Sequence, residues 1–165
     1  MAPKLQTLED LYMDMLKDLY SAEKQLVKAL PKMVRNAHTP DLQQAFQDHL
    51  KQTEGHVERI ERIFSERNAS PRGKKCVGME GIVEEGNELL QEKVDPDVLD
   101  AGLIAAAQKV EHYEIASYGA VRTWAQRLGY NNEAQLLQQT LDEEGEANKK
   151  LTQIAESHVN MEAQR

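Results

Sequence analysis

The chain is predicted to be an all-α bundle: two antiparallel helical hairpins joined by a long crossover that contains a short fifth helix. Three observations predict it. Eight of the 165 residues are aromatic while 40% are apolar, so the core must be built from Leu, Ile, Val, Met and Ala, which favour helices over sheets. Helix start and stop signals recur at long intervals. Between them, apolar residues repeat at helical spacing.

The elements follow in order. Thr7-Leu-Glu-Asp10 is a capping box opening a first helix over roughly 8–37, in which Pro31 predicts a kink near Val27 to Leu30. Thr39-Pro40-Asp41 places proline at a first helical position behind a threonine N-cap and opens a second helix, 40–67. Segment 68–96 carries Gly73, Gly78, Gly81 and Gly86 with Pro71 and Pro96, and is too long for a hairpin loop. Within it, Met79 to Leu90 forms a short helix weakened by Gly81 and Gly86. Asp95-Pro96-Asp97 repeats the proline device at the start of a third long helix, 97–128. Gly129 closes that helix, and Asn132 with Gln135 three residues on caps a fourth, 132–157. Each long helix spans about 40 Å or more. Tight turns near 38–39 and 129–131 flank a crossover that must run the length of the bundle, the topology of ferritin-like folds.

Length and composition bound the function. A chain of 165 residues suits one domain, 1–165, burying about 70% of the surface its unfolded form exposes. The stretch MAPKLQTLEDLYMDM has no apolar leader run and nowhere are there eighteen consecutive apolar residues, so a cytoplasmic location is expected. The single cysteine, Cys76, excludes an internal disulfide and a four-cysteine zinc or iron–sulfur module, and reads as an incidental loop thiol. The net charge of −8 is spread along the chain without a basic patch. No nucleic-acid partner is expected, and acidic polar faces argue against an anionic membrane surface. Acidity fits solubility, or an affinity for hard cations.

Ligand-type residues interrupt every inward stripe near its middle. The first helix reads Leu8, Tyr12, Met15, Leu19, Glu23, Leu26, Leu30, and the second Leu42, Phe46, His49, Thr53, His56, Ile60, Ile63. The third carries Glu111 and Glu114 between Ala107 and Tyr118, and the fourth reads Leu137, Leu141, Glu144, Asn148, Leu151, Ala155. Glu23 lies 15 residues before the first turn at 38 and His56 lies 18 beyond it; Glu114 and Glu111 lie 16 and 19 before the second turn at 130, and Glu144 lies 14 beyond. The offsets agree to about 8 Å at the helical rise per residue, which predicts that Glu23, His56, Glu111, Glu114 and Glu144 converge on one level. Four carboxylates in a dry core repel one another, and burial raises their pKa values. A cation should be there. Oxygen ligands with an imidazole suit iron or manganese, at most two ions, and the absence of thiolates argues against copper(I) or structural zinc.

The stretches LYSAEKQLVKALPKM, HLKQTEGHVERIE, VEHYEIASYGAVRTWAQRLG and TLDEEGEANKKLTQIA carry a resemblance to the YciF-type bacterial stress proteins, a family of unknown function. It covers nearly the whole chain. The resemblance implies a rubrerythrin-like four-helix bundle, a homodimer and a candidate di-iron site, and no established reaction. Against the ferritin-like pattern of one glutamate on each of two helices and Glu-x-x-His on the other two, Glu23 and Glu111 match the single glutamates and Glu114 is an added carboxylate. His56 matches the second-helix histidine, but Thr53 stands in place of its glutamate. Glu144 or Glu143 matches the fourth-helix glutamate, while Ala147 or Glu146 replaces its histidine. One carboxylate and one imidazole are missing by this count.

Each of these residues also has a plainer reading. A glutamate on an apolar stripe is commonly at its edge and solvated, and a histidine there is commonly a hydrogen-bonded core residue. The plain reading is kept for His49, two turns from His56, and for Glu143 and Glu146. Gln52 and Thr53 read as local hydrogen-bond partners, with Gln52 a weak ligand at most. Tyr118 reads as a core tyrosine with a satisfied hydroxyl, within reach of a carboxylate. Trp124 and Met13 read as packing residues.

Two functions are then weighed. One is a redox metalloprotein, two iron or manganese ions acting on peroxide or oxygen with an external electron donor. The other is a non-enzymatic dimeric stress protein whose acidic cluster is vestigial or structural, with the short helix near 79–92 as the dimer surface.

Overall fold

The computed structural model describes residues 5–165, so the first four residues of the N-terminal stretch lie outside the described part. The observed elements are α1 (Leu8–Asn36), α2 (Pro40–Glu66), α3 (Val77–Gln91), α4 (Pro96–Arg127) and α5 (Asn131–Ile154). A π-helical turn, Ala155–Val159, and a last helical turn, Asn160–Ala163, prolong α5. No helix among the described residues is long and apolar enough to cross a membrane.

Local chemistry sets most boundaries. Thr7 and Asp10 form the expected reciprocal capping box, and the Asp95 carboxylate caps α4 by accepting from Asp97 and Val98 N–H. Gly129, at φ +82, ends α4: its N–H reaches the Gln126 carbonyl and the Tyr130 N–H reaches Ala125, the paired bonds that a left-handed residue permits. Asn68, at φ +52, closes α2 in the same way through Ala69 and Phe64.

Pro31 lies inside α1, which continues past it to Asn36, because surrounding packing outweighs one lost backbone bond. Three expectations are corrected. Asn132 is not a cap: α5 starts at Asn131 behind Tyr130, without a side-chain cap. Thr39 precedes Pro40 as expected but makes no cap bond; its hydroxyl donates to Asp100 instead. Cys76 is not an incidental loop thiol. It is buried, its sulfur accepts from Met79 N–H at the start of α3, and it lies 2.9 Å from the Tyr113 hydroxyl. Tyr113 also donates to Asp18, and Gly78 is needed beside it, since a Cβ there would come within 2.7 Å of the Tyr113 ring.

α1 packs on α2 and α4, α5 packs on the same two helices, and α3 lies over α1 and α4. The two tight turns lie at opposite ends. At one, the backbone N–H groups of His38 and Thr39 donate to the buried Asp100 at 2.7 Å, and His158 approaches Asp41. At the other, Tyr12 donates to Glu133, Arg67 grips the same carboxylate, and Tyr130 donates to Glu9. An apolar cluster fills each end. Tyr12, Leu16, Leu19, Ile60, Ile63, Phe64, Val121 and Leu137 pack at the second; Leu42, Phe46, Leu103, Ile104, Leu151 and Ile154 pack at the first. Burying each Leu or Ile contributes about 1.5–3 kcal/mol. Between the two clusters the stripes turn polar.

Candidate metal centre

Six side chains from four helices make this middle layer: Glu23 from α1, His49 and His56 from α2, Glu111 and Glu114 from α4, and Glu144 from α5. All six are buried. Helical spacing explains the placement. His49 and His56 are seven residues apart, two turns on one face, with ring centroids 6.5 Å apart. Glu111 and Glu114 are one turn apart and point the same way.

Their donor atoms fall into two groups that share a member. His49, Glu111, Glu114 and Glu144 bring one donor atom each within 4.8 Å of one another, and Glu23, His56 and Glu144 do the same. Glu144 sits between. His49 Nε2 is 3.0 Å from Glu111 and 3.8 Å from Glu144; His56 Nδ1 is 2.9 Å from Glu144 and 3.3 Å from Glu23. These are ion-pair distances, yet His49 Nε2, His56 Nδ1 and both Glu144 oxygens lack an aligned hydrogen bond. Among the described residues, nine of the ten buried side-chain nitrogen and oxygen atoms without a hydrogen-bond partner belong to these six residues. Such atoms are costly to bury unless something pairs them.

The surrounding contacts aim the ligand-type groups. Tyr118 donates to Glu23 Oε1 at 2.5 Å, leaving Oε2 unpaired. Glu143 lies outside the two groups: its Oε2 is 2.8 Å from His56 Nε2, and both its oxygens accept from Arg59. Arg59 also donates to Thr140. Thr53 donates to the His49 carbonyl. Gln52 is exposed, and Glu146 is exposed and paired with Lys149, so neither stands in for a missing group.

The electrostatics follow from burial and crowding. Burial raises the carboxyl pKa values of Glu111 and Glu114 well above the usual range, with neighbouring carboxylates pushing Glu114 further and His49 opposing the rise at Glu111. Burial pulls both imidazoles down, but the carboxylates overcome it: His49 is held at about 9 by Glu111 and Glu144, and His56 at about 11 by Glu143, Glu144 and Glu23. Burial works to raise Glu144, and the close approach of Glu111 and of the His56 and His49 imidazoles overrides it and holds it low. Burial likewise works to raise Glu143, and His56 and Arg59 bring it to about 2. Without a cation the layer therefore holds itself together with protons.

The structure brings together all five residues singled out by the sequence, Glu23, His56, Glu111, Glu114 and Glu144, and adds His49. The sequence pattern alone marks that histidine as an ordinary core residue. It approaches Glu111 and Glu144 on the side where Ala147 leaves no imidazole on α5, so the layer holds two histidines after all. The carboxylate missing at Thr53 is not replaced.

Fold and site together define a class: a four-helix bundle whose apolar core is divided by a buried layer of carboxylates and imidazoles. The chain belongs to the family described as Domain of unknown function (DUF892), whose model matches residues 7–164. It is 49% identical over 161 residues to Protein YciF of Escherichia coli (strain K12), covering 97% of each chain. The crystal structure of the E. coli stress protein YciF superposes with a TM-score of 0.90 at 50% identity, covering 94% of this chain and 99% of that one. YcfI, a protein of Rhodopseudomonas palustris described as structural, gives 0.89 at 41% identity over 92% and 97% of the two chains. A protein of Xanthomonas campestris pv. campestris gives 0.75 at 21% identity over 93% and 94%, which speaks for the fold alone.

Proposed function

We propose that this chain is a stress-response metalloprotein of the ferritin-like type, whose middle layer binds two iron or manganese ions. One observation carries the reading: the buried unpaired donor atoms are concentrated in six residues that form two groups around one shared carboxylate. The donor set fits. Carboxylate oxygens with one imidazole in each group suit iron or manganese, while Cys76, the only thiol, lies outside both groups.

Glu144 would serve both ions, His49 with Glu111 and Glu114 one of them, and His56 with Glu23 the other. Iron or manganese held there supplies redox chemistry toward peroxide or oxygen, with electrons from an external donor. The chain's own residues set the conditions. Tyr118 fixes one Glu23 oxygen and leaves the other available, Glu143 and Arg59 orient His56, and the two apolar clusters shield the layer from the two ends of the bundle. Elemental analysis after loading with iron and with manganese tests the reading: two ions per chain are expected, and a Glu144→Ala variant should retain at most one. Metal content at background in the unaltered protein would overturn it.

A second reading has its own support. Thr53 leaves the layer one carboxylate short, and α3 buries only Met79 of its fifteen residues, leaving a face suited to a second copy. On that reading the protein is a non-enzymatic dimeric stress protein acting through its surface, with the polar layer structural. Background metal content together with a dimer in sedimentation equilibrium would favour it.

A further inference from the structure

The gap between α2 and α5 is open at one level and shut at another. At the level of His56 it is bridged by Arg59, which donates to Glu143 through two nitrogens and to Thr140. Two turns along α2, at His49, a cavity of about 170 Å³ opens. His49 and Glu111 lie at its inner end, so it meets the layer at the first of the two groups. Its walls are low because three helices each contribute an alanine, Ala45, Ala107 and Ala147. At about 30 Å³ per water, the space has room for several waters, and so for an ion that carries part of its hydration.

The mouth is ringed by two exposed ion pairs. Asp48 and Glu146 stand beside the opening with Lys150, which lies 3.3 Å from Asp48, and Lys149 pairs with Glu146 at 2.7 Å. All four side chains are about half exposed or more, and ion pairs in such positions contribute about 0–1 kcal/mol each, too little to hold the mouth closed. The net charge of −8 adds long-range attraction for cations. By contrast, the cavity between α1, α3 and α4 is lined by Leu26, Met33, Val83 and Leu103 and touches none of the six layer residues.

We propose that this opening between α2 and α5 is the port through which a hydrated divalent cation reaches the core, entering at His49 and Glu111 before the His56 half is filled. The port rests on the reading of the layer as a metal centre, and Ala147 gains a role in it. The residue that removes an imidazole from α5 also keeps the entrance clear.

The test is uptake of cobalt(II) by metal-free protein, followed by its absorption bands, with final stoichiometry from elemental analysis. Ala147→Leu, and Ala147→Met as a more flexible filler, should leave the stoichiometry unchanged. Each should slow uptake, and release to EDTA, by about tenfold or more, since an ion must then wait for packed side chains to open. Lys150→Glu, a surface change that spares the core, should speed uptake severalfold at low salt and lose that advantage at high salt. Ala29→Leu, which fills the apolar cavity elsewhere, should load like the unaltered protein. Cobalt bound at full stoichiometry with rates unchanged in the Ala147 and Lys150 variants overturns the port and leaves the metal centre standing. Failure of the unaltered protein to bind cobalt overturns the metal reading and the port with it.

Discussion

His56 Nε2 lies 2.8 Å from Glu143 Oε2, and Arg59 holds both oxygens of that glutamate. A carboxylate only accepts, so the ring's Nε2 carries a proton and Nδ1 is the atom turned toward Glu23 and Glu144. Glu143 is thus a positioning residue. Replacing Glu143 with Gln, or Arg59 with Ala, should weaken metal binding by about 10–100-fold, the usual cost of removing such an outer contact, without changing the number of ions bound at saturation. Competition titration against a chelator reads the affinity. An unchanged affinity in both variants would remove the orienting role.

Glu114 is wholly buried with both oxygens unpaired, so in the metal-free protein it costs stability. A Glu114→Met change keeps the volume and removes the polar atoms. It should stabilise the metal-free protein by about 1–4 kcal/mol, several degrees in Tm for a chain of this size, while lowering metal content. Calorimetry with and without metal checks both halves, and a lower Tm for the metal-free variant would count against the electrostatic account.

The protons in the layer give a pH dependence with a definite sign. His49 and His56 have folded pKa values near 9 and 11, above their ordinary 6.5. Their stabilisation is complete below about pH 6.5 and is lost as pH rises through the folded values. Glu111 and Glu114 are raised too, so each favours folding most below its ordinary value and less as pH rises. Metal-free protein should therefore melt at least about 5 °C lower at pH 9 than at pH 6. A metal bound by these residues would displace the protons, so on the proposed function affinity should rise over the same interval. Thermal melts and proton release measured by calorimetry follow the two trends, and a Tm that climbs with pH would contradict them.

At the end of the bundle that carries the second tight turn, Glu133 accepts from the buried Tyr12 hydroxyl at 2.6 Å and is gripped by Arg67 through two nitrogens. Glu133→Ala strands both partners and should cost about 2–4 kcal/mol in urea unfolding, with metal stoichiometry unaltered. A loss below about 1 kcal/mol would show that Tyr12 and Arg67 find other partners.

The long helices, the crossover and five of the six layer residues were legible because 3.6-residue periodicity reports which side of a helix faces inward. Depth was less legible. The two tight turns lie at opposite ends of the bundle, so an offset from one turn and an offset from the other run in opposite directions along the axis. Counted from one end, His49 is 18 residues from Arg67 and Glu111 is 18 residues from Gly129, which places them side by side as the structure does. The sequence held that signal, and Ala147 supplied a second by vacating the place of an imidazole. The roles of Cys76 and Thr39 were hidden for another reason. Each depends on a partner far along the chain, Tyr113 for one and Asp100 for the other, and no local pattern reports such a meeting.

The two latches at the ends of the bundle, Asp100 beneath the first turn and Glu133 between Tyr12 and Arg67, divide the molecule's labour. Architecture is secured at the tips, and the costly middle is carried as a passenger. Substitutions there are then changes of cargo, which is how Thr53 and Ala147 can depart from the ligand pattern in a chain that keeps its frame. Single substitutions in the middle layer can then leave the frame standing, and the same independence makes the bundle a practical chassis for installing a chosen set of ligands.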